Sequence, residues 1–234
     1  MHSIEVWAPR GKPVQDFGMT RETLLKKDLF GEVRYRSDAN GGTIVRDASC
    51  ARPWLGWLAR RLLRREANVL AALAHLDEIP ELLHCEATRL ERRYIDGRPL
   101  QLAKPQELRF FHDAARLLRR LHAANVVHND LAKEPNILVQ SSGQPALIDF
   151  QLGWYARRRN RLFRLMAYDD LRHLLKHKRT YCEPSLTARE RRILAKPSAP
   201  SRLFRQTVKP VYMFVTRRLL GWADREGATD RGHR

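Results

Sequence analysis

Cysteine is scarce in this sequence, and the three cysteines present are far apart. Cys50, Cys85 and Cys182 include no Cys-x-x-Cys pair, and their number is odd. This usage disfavours a disulfide-stapled fold and a structural zinc site, because both need closely grouped or evenly paired cysteines. It is typical of a protein that stays in a reducing compartment, so we expect a cytoplasmic location.

Long apolar segments are also missing from the sequence. No run of about 18 apolar residues occurs, and the first residues, MHSIEVWAPRGKP, lack a basic patch followed by an apolar stretch. The sequence therefore predicts neither a transmembrane helix nor a signal peptide. Hydrophobic residues still make up 43% of the 234 residues, which is enough for a sizeable core.

Acidic residues are few relative to basic ones. Lys and Arg total 44 and Asp and Glu total 26, which gives a formal net charge of +18. Such an excess predicts an anionic partner, whether nucleic acid, an anionic membrane face or a phosphorylated substrate. No recognition motif or aromatic–glycine stacking signature accompanies the charge, so specific nucleic-acid recognition is not predicted.

Tryptophan and aliphatic residues accompany two of the arginine clusters. The arginine clusters are Arg52–Arg65, Arg157–Arg164 and Arg202–Arg218. Trp54 and Trp57 lie within the first cluster, and an apolar helical stripe in 211–222 accompanies the last. Basic faces of this kind suit peripheral contact with the inner face of an anionic membrane. The alternative is that the apolar side chains pack on the protein's own core while the arginines face water.

Hydrophobic periodicity divides the chain into a β-rich first part and a largely helical second part. Three short strands are predicted at Thr23–Lys27, Glu32–Arg36 and Thr43–Asp47, with a hairpin turn at Asp38–Gly42. A helical pattern follows from Pro53, and a strand pair follows that helix. This order predicts an α+β fold with a small β-rich N-terminal lobe and a mainly helical C-terminal lobe. The boundaries that we expect are 1–95 for the first lobe, 96–195 for the second, and 196–234 for a basic C-terminal extension.

Two helices of the second part have more detailed predictions. The first carries an apolar stripe made of Phe110, Ala114, Leu117, Leu118 and Leu121. In the second, Asp169 and Asp170 open the segment DDLRHLL. We expect these two acids to cap the N-terminus of that helix.

The polar segment HNDLAKEPN lies between two apolar runs, and a short apolar strand pattern that ends in an acid comes after it. Asp130 and Asn136 lie within this segment, and Asp149 follows Asn136 by 13 residues. Phosphoryl transfer needs a carboxylate to orient the attacking hydroxyl, and it needs further oxygen ligands for Mg²⁺. These three side chains could supply both in one stretch of the chain.

In type, order and spacing these residues resemble the motifs of the protein-kinase-like superfamily. The similarity is greatest to the compact bacterial branch that includes the RIO-type and lipopolysaccharide-core kinases. It covers roughly residues 24–178. The resemblance implies a bilobal kinase-like fold, ATP and Mg²⁺ as cofactors, and a hydroxyl-bearing acceptor. The first lobe would bind the nucleotide, and the second would carry the catalytic loop and the metal site.

The resemblance also implies a role for each matching residue. Asp130 would be the catalytic carboxylate, with His128 bracing its loop, and Asn136 and Asp149 would bind Mg²⁺. The residues that it implies around the nucleotide are Arg46, Glu66, Gly31, Arg93, Tyr94, Ile95 and Leu138.

Arg46 occupies the strand position where the superfamily has a lysine, and Glu66 would pair with it from the following helix. Arginine keeps the charge but is longer, planar and differently hydrated. Three interpretations therefore stay open: Arg46 contacts phosphate in an altered geometry, the contact comes from elsewhere, or catalysis is weak. The simpler alternatives are an exposed strand arginine and a solvated helical Glu66 that pairs with Arg61 or Arg65.

The catalytic segment also departs from the superfamily pattern. Asn136 follows Asp130 by six residues, one more than is usual, so the loop must bulge. Gln151 replaces the glycine after Asp149-Phe150, which predicts a stiffer hinge. The glycine-rich loop is reduced to Gly31, and no Ala-Pro-Glu follows.

Together these observations predict a cytoplasmic, ATP- and Mg²⁺-dependent phosphotransferase that modifies serine or threonine of a protein. Two alternatives stay open. One is a kinase that modifies a lipopolysaccharide-core sugar at the inner membrane surface. The other is a pseudokinase that serves as a basic docking module, which the changes at Arg46 and Gln151 would favour.

Overall fold

The computed structural model describes residues 22–37 and 41–195 of the chain. The centre of the predicted hairpin turn, 38–40, and the predicted basic extension, 196–234, lie outside the described residues. Within the described part, no helix is both long and apolar enough to cross a membrane.

The N-terminal region is a five-stranded antiparallel sheet with the strand order β1-β2-β3-β5-β4. Its strands are β1 (Glu22–Asp28), β2 (Gly31–Arg36), β3 (Thr43–Asp47), β4 (Leu82–Cys85) and β5 (Arg89–Arg93). The three strands predicted before residue 50 are confirmed to within one residue at each end, and the strand pair predicted after the first helix is present as β4 and β5. These strands could be predicted because their polar and apolar residues alternate and turn residues bound them.

The turn between β1 and β2 is tight and requires glycine at its end. Asp28 Oδ1 accepts a hydrogen bond from the N–H of Phe30 at 2.8 Å, and Gly31 has φ +131°. A Cβ at Gly31 would overlap the carbonyl oxygen of Asp47 on β3. Only glycine fits this approach of two backbones without strain.

Helix α1 (Gly56–Ala72) packs its apolar stripe against the sheet. A short 3₁₀ turn, Pro53–Leu55, precedes it. Ala59, Leu63 and Ala67 recur at four-residue spacing and form a buried cluster with Leu90 of β5. The predicted helical pattern after Pro53 is thus one helix whose solvent face is rich in arginine.

The rest of the described chain is mainly helical, with short strands that frame its loops. Its elements are β6 (Arg98–Pro99), α2 (Leu100–Ala103), α3 (Leu108–Ala123), β7 (Val126–Val127), β8 (Ile137–Val139), β9 (Pro145–Leu147), β10 (Trp154–Tyr155), α4 (Arg161–Tyr181) and α5 (Ala188–Ala195). Strands β6, β8 and β9 form one antiparallel sheet, and β7 pairs with β10.

Helix α3 forms the centre of the main hydrophobic core. All five residues of its predicted apolar stripe are buried, and they pack with residues of α1, β8 and α4. The helix ends at Ala123, and Asn125 then adopts a left-handed conformation with φ +60°. Asparagine tolerates this conformation better than most residues. The chain thereby turns directly into β7 and the polar segment.

Helix α4 begins earlier than predicted, so the expected N-cap at Asp169 and Asp170 is wrong. Asn160 caps the helix, and its Oδ1 accepts a hydrogen bond from the N–H of Phe163 at 2.9 Å. Asp170 lies in the middle of the helix and is only 1% exposed. A buried carboxylate at such a position needs hydrogen-bond partners, and it finds them in the polar segment.

Candidate active site

The segment after β7 absorbs its extra residue in a short 3₁₀ turn, Glu134–Asn136. The N–H of Asn136 donates to the carbonyl of Lys133 at 3.2 Å, and the N–H of Lys133 donates to that of Asp130 at 3.3 Å. This turn is the bulge that the spacing required. It brings the Asn136 amide back to Asp130, where Nδ2 donates to both the backbone oxygen and Oδ2, each at 3.0 Å.

The side chain of Asp130 is held by two donors of its own loop. Besides the Asn136 amide, Lys133 Nζ lies 3.1 Å from Asp130 Oδ2. Both contacts use the same carboxylate oxygen. The other oxygen, Oδ1, takes part in neither contact.

His128 is completely buried and joins this loop to the chain that precedes Asp149. Its Nε2 lies 3.0 Å from the carbonyl oxygen of Ile148, and its Nδ1 accepts a hydrogen bond from the N–H of Asp130 at 3.3 Å. The two contacts assign the proton to Nε2. The ring also packs on Phe150, with 4.6 Å between the ring centroids.

Helix α4 anchors the loop at three points, which sequence reasoning missed. The carboxylate of Asp170 accepts the backbone N–H groups of His128 at 2.7 Å and Asn129 at 2.9 Å. Further along, His177 Nε2 donates to the carbonyl of Leu131 at 2.7 Å, and Tyr181 donates its hydroxyl to Glu134 at 2.6 Å.

A periodic signal for these anchors was present in the sequence. Asp170, Leu174, His177 and Tyr181 follow one another at spacings of four, three and four, which places them on one face of a helix. Polar residues in line with a buried leucine indicate a face that meets a polar partner. Burial lowers the pKa of His177 although its hydrogen bond to Leu131 opposes that shift. The ring is therefore neutral near pH 7.

Asp149 has a strained backbone and an incompletely satisfied carboxylate. Its φ is +64°, and Asn129 in the loop has the same left-handed value. Asp149 Oδ1 is buried and has no hydrogen-bond partner among the described residues. Burial by itself would raise the pKa of Asp149, but the charges of Arg46, Arg92 and Lys133 hold it below its ordinary value. The group is therefore an anion, and one of its oxygens makes no hydrogen bond among the described residues.

Glu66 is fully buried between two guanidinium groups, so its interpretation as a solvated helical residue is wrong. Arg46 Nε lies 3.7 Å from Glu66 Oε2, and Arg92 Nε lies 3.3 Å from Oε1. Neither carboxylate oxygen makes a hydrogen bond among the described residues. Arg46 is 17% exposed at its side chain, which excludes the simple exposed strand arginine. With Asp149 nearby, these residues form a cluster of two cations and two anions.

Arg92 is the member of this cluster that sequence reasoning did not identify. Its β5 neighbour Leu90 is completely buried against α1, and residues two apart in a strand share one face. That alternation would have placed Arg92 inside. Burial lowers the pKa of Arg92, while the charge of Glu66 opposes the shift.

The turn after Asp149 has its critical glycine two residues beyond Gln151. At Gly153 a Cβ would lie 2.9 Å from the carbonyl oxygen of Phe150 and 3.3 Å from Val69 on α1. The prediction of a stiff hinge at Gln151 is untested, but the close backbone approach occurs at Gly153. Arg65 of α1 donates hydrogen bonds to the carbonyl oxygens of Gly153 and Leu152.

The segment predicted to meet adenine links the first sheet to β6. The N–H of Arg93 donates to the carbonyl of Glu81 at 2.9 Å, and that of Tyr94 to the carbonyl of Gly42 at 3.0 Å. The backbone N–H groups of Arg93 and Tyr94 are therefore already hydrogen-bonded. The predicted contacts with adenine are thereby limited to Ile95 and to the carbonyl groups of the segment. Below the segment lies Leu138, which is 1% exposed. A Cβ at Gly97 would come within 3.0 Å of Leu138 Cβ, so the two are in close contact.

The predicted nucleotide residues fall into two groups. Gly31, Arg46 and Glu66 belong to the sheet and α1, and Gly31 shares a strand face with Val33, the β2 partner of Arg46. The second group comprises Arg93, Tyr94, Ile95 and Leu138 at the connection to β6. The Asp130 loop follows β7 and Asp149 follows β9, so both come after this connection in the chain.

The oxygens of Asp149 and Asn136 could ligate a magnesium ion whose remaining ligands come from phosphate and water. Asp149 Oδ1 lacks a partner, and Asn136 uses both amide hydrogens on Asp130, which leaves its carbonyl oxygen free to ligate. Within 22–37 and 41–195 there is no group of three or more His, Cys, Asp or Glu side chains that could hold a metal. Mg²⁺ commonly takes one or two protein oxygens and completes its octahedron with phosphate and water.

Comparison with known proteins identifies the fold. No protein-family model and no curated protein sequence matches the chain. Among solved structures it is similar to the Rio2 kinase from Chaetomium thermophilum, with a TM-score of 0.54 and 14% sequence identity. The match covers 76% of this chain but 62% of the Rio2 chain, so the chain spans under two thirds of that protein. At this identity the likeness shows the fold alone, which is kinase-like, with a β-sheet N-terminal region and a helical part.

Proposed function

We propose that this chain is an ATP- and Mg²⁺-dependent phosphotransferase that moves the γ-phosphate of ATP to a hydroxyl group. One observation carries the proposal: the unsatisfied, buried oxygen of Asp149 lies in a cluster of cations next to the Asp130–Asn136 loop. A structural ion-pair cluster would gain nothing from an unpaired carboxylate oxygen, because burying it without a partner is costly. A metal-bound nucleotide would complete it.

In this proposal the molecule is bilobal. The β-rich lobe, 1–95, binds the nucleotide, and the helical lobe, 96–195, carries the catalytic loop and the metal ligands. Ile95 and neighbouring carbonyl groups receive the adenine edge above Leu138. The close contact between Gly97 and Leu138 would keep that floor in a fixed position.

Asp130 acts as the carboxylate that orients the acceptor hydroxyl and takes up its proton. Its Oδ2 is fixed by Asn136 and Lys133, so the free oxygen has a defined direction. His128 and Asp170 hold the backbone of the loop in place. Positioning of this kind contributes more to phosphoryl transfer than proton abstraction does, since the transition state is loose.

Asn136 and Asp149 hold Mg²⁺, which neutralises charge on the phosphate oxygens. Arg46 contacts the phosphates, because it is the more exposed of the two buried arginines at 17% against 9% for Arg92. Arg92 then neutralises Glu66. This division answers the question raised by the missing lysine: two arginines share the work of one lysine, since an arginine is too long to serve in the same geometry.

The acceptor implied by the resemblance is serine or threonine of a protein. A sugar hydroxyl of a lipopolysaccharide-core glycolipid is the second candidate, favoured by a basic cleft along α1 that is lined by Arg60, Arg61, Arg64 and Arg65. Asn129 donates its side-chain N–H to the carbonyl of Leu152 at 3.0 Å, and Arg65 of the cleft donates to the same oxygen at 3.2 Å. An anionic acceptor bound there would lie beside Asp130.

The test is nucleotide binding and phosphate transfer by purified wild type, Asp130→Ala, Asp149→Ala and the control Asp77→Ala. Asp77 is an exposed turn residue. We expect Asp130→Ala to bind Mg·ATP normally but to transfer phosphate about 10²–10⁴-fold more slowly. Asp149→Ala should lose the magnesium dependence of ATP binding.

Two results would contradict the proposal. If wild type neither binds nor turns over ATP, the enzyme function is excluded. If it binds ATP but transfers no phosphate to protein or glycolipid acceptors, the chain is a pseudokinase, and equal transfer by wild type and Asp130→Ala would remove the catalytic role of Asp130.

A further inference from the structure

A basic cleft of about 710 Å³ lies between the solvent face of α1 and the chain that follows Asp149. One wall consists of Arg60, Arg61, Arg64 and Arg65 of α1. The other wall includes Tyr155 of β10 and Leu162 of α4. None of these residues belongs to the proposed nucleotide or metal site. Transfer to serine or threonine of a protein, the first candidate reaction, therefore leaves this cleft without a function.

The charge of the cleft is not balanced by acidic residues. The segment 53–72 holds four arginines and one acid, Glu66, which points inward, and the segment 151–168 holds five arginines and no acid. Arg60, Arg61 and Arg64 are exposed and have no ion pair in the described part of the chain. Like charges three and four residues apart on a helix repel one another. An anion bound in the cleft would remove that repulsion.

Arg65 connects the cleft to the catalytic loop. Its guanidinium donates to the carbonyl oxygens of Leu152 and Gly153, and Leu152 also accepts from the side chain of Asn129, next to Asp130. Burial and the charge of Arg61 together lower the pKa of Arg65. Arg65 of the cleft and Asn129, the residue before Asp130, thus donate to the same carbonyl oxygen.

Large apolar side chains form the rim of the cleft. Trp57, Tyr155 and Leu162 line it and are 62%, 45% and 50% exposed. Leu152 and Leu165 are exposed next to them, one on the chain before Gly153 and one a turn along α4. A site for a small soluble anion needs no such rim. An aromatic and aliphatic rim around guanidinium groups is instead typical of surfaces that enter the headgroup region of a bilayer.

We propose that this cleft docks the protein on an anionic phospholipid membrane. The phosphate groups of the lipids enter the cleft and accept hydrogen bonds from Arg60, Arg61 and Arg64, because a guanidinium fork matches phosphate geometry. Trp57, Tyr155 and Leu162 insert at the level of the headgroups. The docking itself needs no nucleotide. Its link to a glycolipid acceptor rests on the proposed function, since docking would bring Asn129 and Asp130 to the membrane surface.

The test is cosedimentation of the full chain with phosphatidylcholine vesicles, with and without phosphatidylglycerol. Three variants are compared with wild type: R60Q/R61Q/R64Q in the cleft, the charge-matched control R109Q/R116Q/R119Q on α3, and W57S/L162S on the rim. The three control arginines are also exposed. A folded state of every variant is verified by thermal unfolding.

We expect wild type and the control to bind the phosphatidylglycerol vesicles with affinities within about threefold of each other. The cleft variant should bind about 10²-fold more weakly, because each of the three arginines near an anionic surface contributes about fivefold to the affinity. The rim variant should also bind more weakly, although its charge is unchanged.

Three outcomes would overturn the proposal. The first is equal, negligible binding of wild type to both kinds of vesicle. The second is equal binding by the cleft variant and the control. The third is an unchanged affinity of the rim variant together with complete release of wild type by a soluble RNA oligonucleotide, which would indicate a polyanion site in solution. Nucleotide binding is measured separately, so failure of docking leaves the phosphotransferase proposal intact, and the reverse also holds.

Discussion

The two faces of helix α1 handle charge in opposite ways. On the inner face, Glu66 is fully buried and lies within 4 Å of both Arg46 and Arg92. On the outer face, Arg60, Arg61 and Arg64 are exposed, and no acid in the described ranges pairs with them. The acid on the inner face of α1 therefore lies near cations of the sheet, whereas the arginines on its outer face have no acidic partner among the described residues.

This difference separates charges that folding requires from charges that it does not. A buried carboxylate must have cations nearby, since desolvation costs several kcal/mol per ion. Exposed arginines need no partner, because water solvates them and surface ion pairs contribute at most about 1 kcal/mol. The inner set is explained by the fold and the proposed nucleotide site. Folding does not explain the outer set, and its position in a cleft with an exposed apolar rim is the basis of the docking proposal.

The largest expected effect comes from removing the inner carboxylate. Glu66→Ala leaves two buried guanidinium groups without their anion, which should lower the free energy of unfolding by about 3–5 kcal/mol. In a chain of this size that corresponds to a fall of about 10 °C in the melting temperature. Denaturant titration gives the free energy directly.

Glu86→Ala is the matched control for this change, because Glu86 is 63% exposed at its side chain and, within 22–37 and 41–195, its carboxylate pairs only with the exposed His84. It should alter stability by less than about 0.5 kcal/mol. If Glu66→Ala were as mild as this control, the contrast between the two faces of α1 would be lost.

A somewhat smaller effect is expected at the anchor of the proposed catalytic loop. Asp170→Ala removes the acceptor of two backbone N–H groups, that of the buried His128 and that of the half-buried Asn129. Leaving two such donors unsatisfied should cost about 3 kcal/mol. Because the loop would also loosen, ATP-dependent transfer should fall while nucleotide affinity changes little.

The control for this variant is Asp77→Ala, an exposed aspartate of a turn. Unfolding in urea and transfer assays on both proteins give the comparison. An Asp170→Ala protein with normal stability and normal transfer would show that α4 does not position the loop.

The pair Lys178–Glu190 provides a pH-dependent test of a matched interior charge. Lys178 Nζ lies 2.9 and 2.8 Å from the two Glu190 oxygens and is only 3% exposed. Burial raises the pKa of Glu190, but hydrogen bonds from Lys178 and the N–H of Thr187 outweigh it and hold the pKa below its ordinary value. The ionised carboxylate therefore stabilises the fold fully above its unfolded-state pKa of about 4.3. This stabilisation is lost as the pH falls through the lower pKa that Glu190 has in the folded protein.

Glu190→Gln should therefore cost about 2 kcal/mol at neutral pH and progressively less below about pH 4. Urea unfolding of wild type and variant from pH 7 to about pH 3 measures the difference. A gap that stays constant over this range would mean that ionised Glu190 does not contribute through Lys178.

How much of this could be predicted from the sequence depends on whether the information is local. The strands of the first sheet and the α3 stripe follow from periodicity within short windows, and they are confirmed. The segment with Asp130 and Asn136, and Asp149 beyond it, could be identified because its chemistry is contiguous in the chain. Their catalytic roles stay predictions.

Arg92 and Asp170 were missed because their partners are distant in sequence. Arg92 meets Glu66 only when β5 lies beside β3 and α1 covers both, and Asp170 meets His128 across 42 residues. Composition favours a surface position for both residue types. The Leu90–Arg92 alternation and the α4 stripe were local signals, but only tertiary packing decides which face is buried.

The smallest expected effect is on the outer face of α1, at Arg64. This residue lies four positions after Arg60 and three after Arg61, and it is exposed. Arg64→Gln removes two like-charge repulsions at nearly equal helix propensity, so the free energy of unfolding should rise by about 0.2–0.5 kcal/mol. The gain should shrink in high salt, since exposed charges are screened.

If the substitution instead destabilised the protein by 1 kcal/mol or more, Arg64 would have an intramolecular partner, and the unmatched outer face would no longer argue for a bound anion. With the stability gain and a loss of vesicle binding in the same variant, the arginine would be shown to serve a ligand at a small cost to the fold.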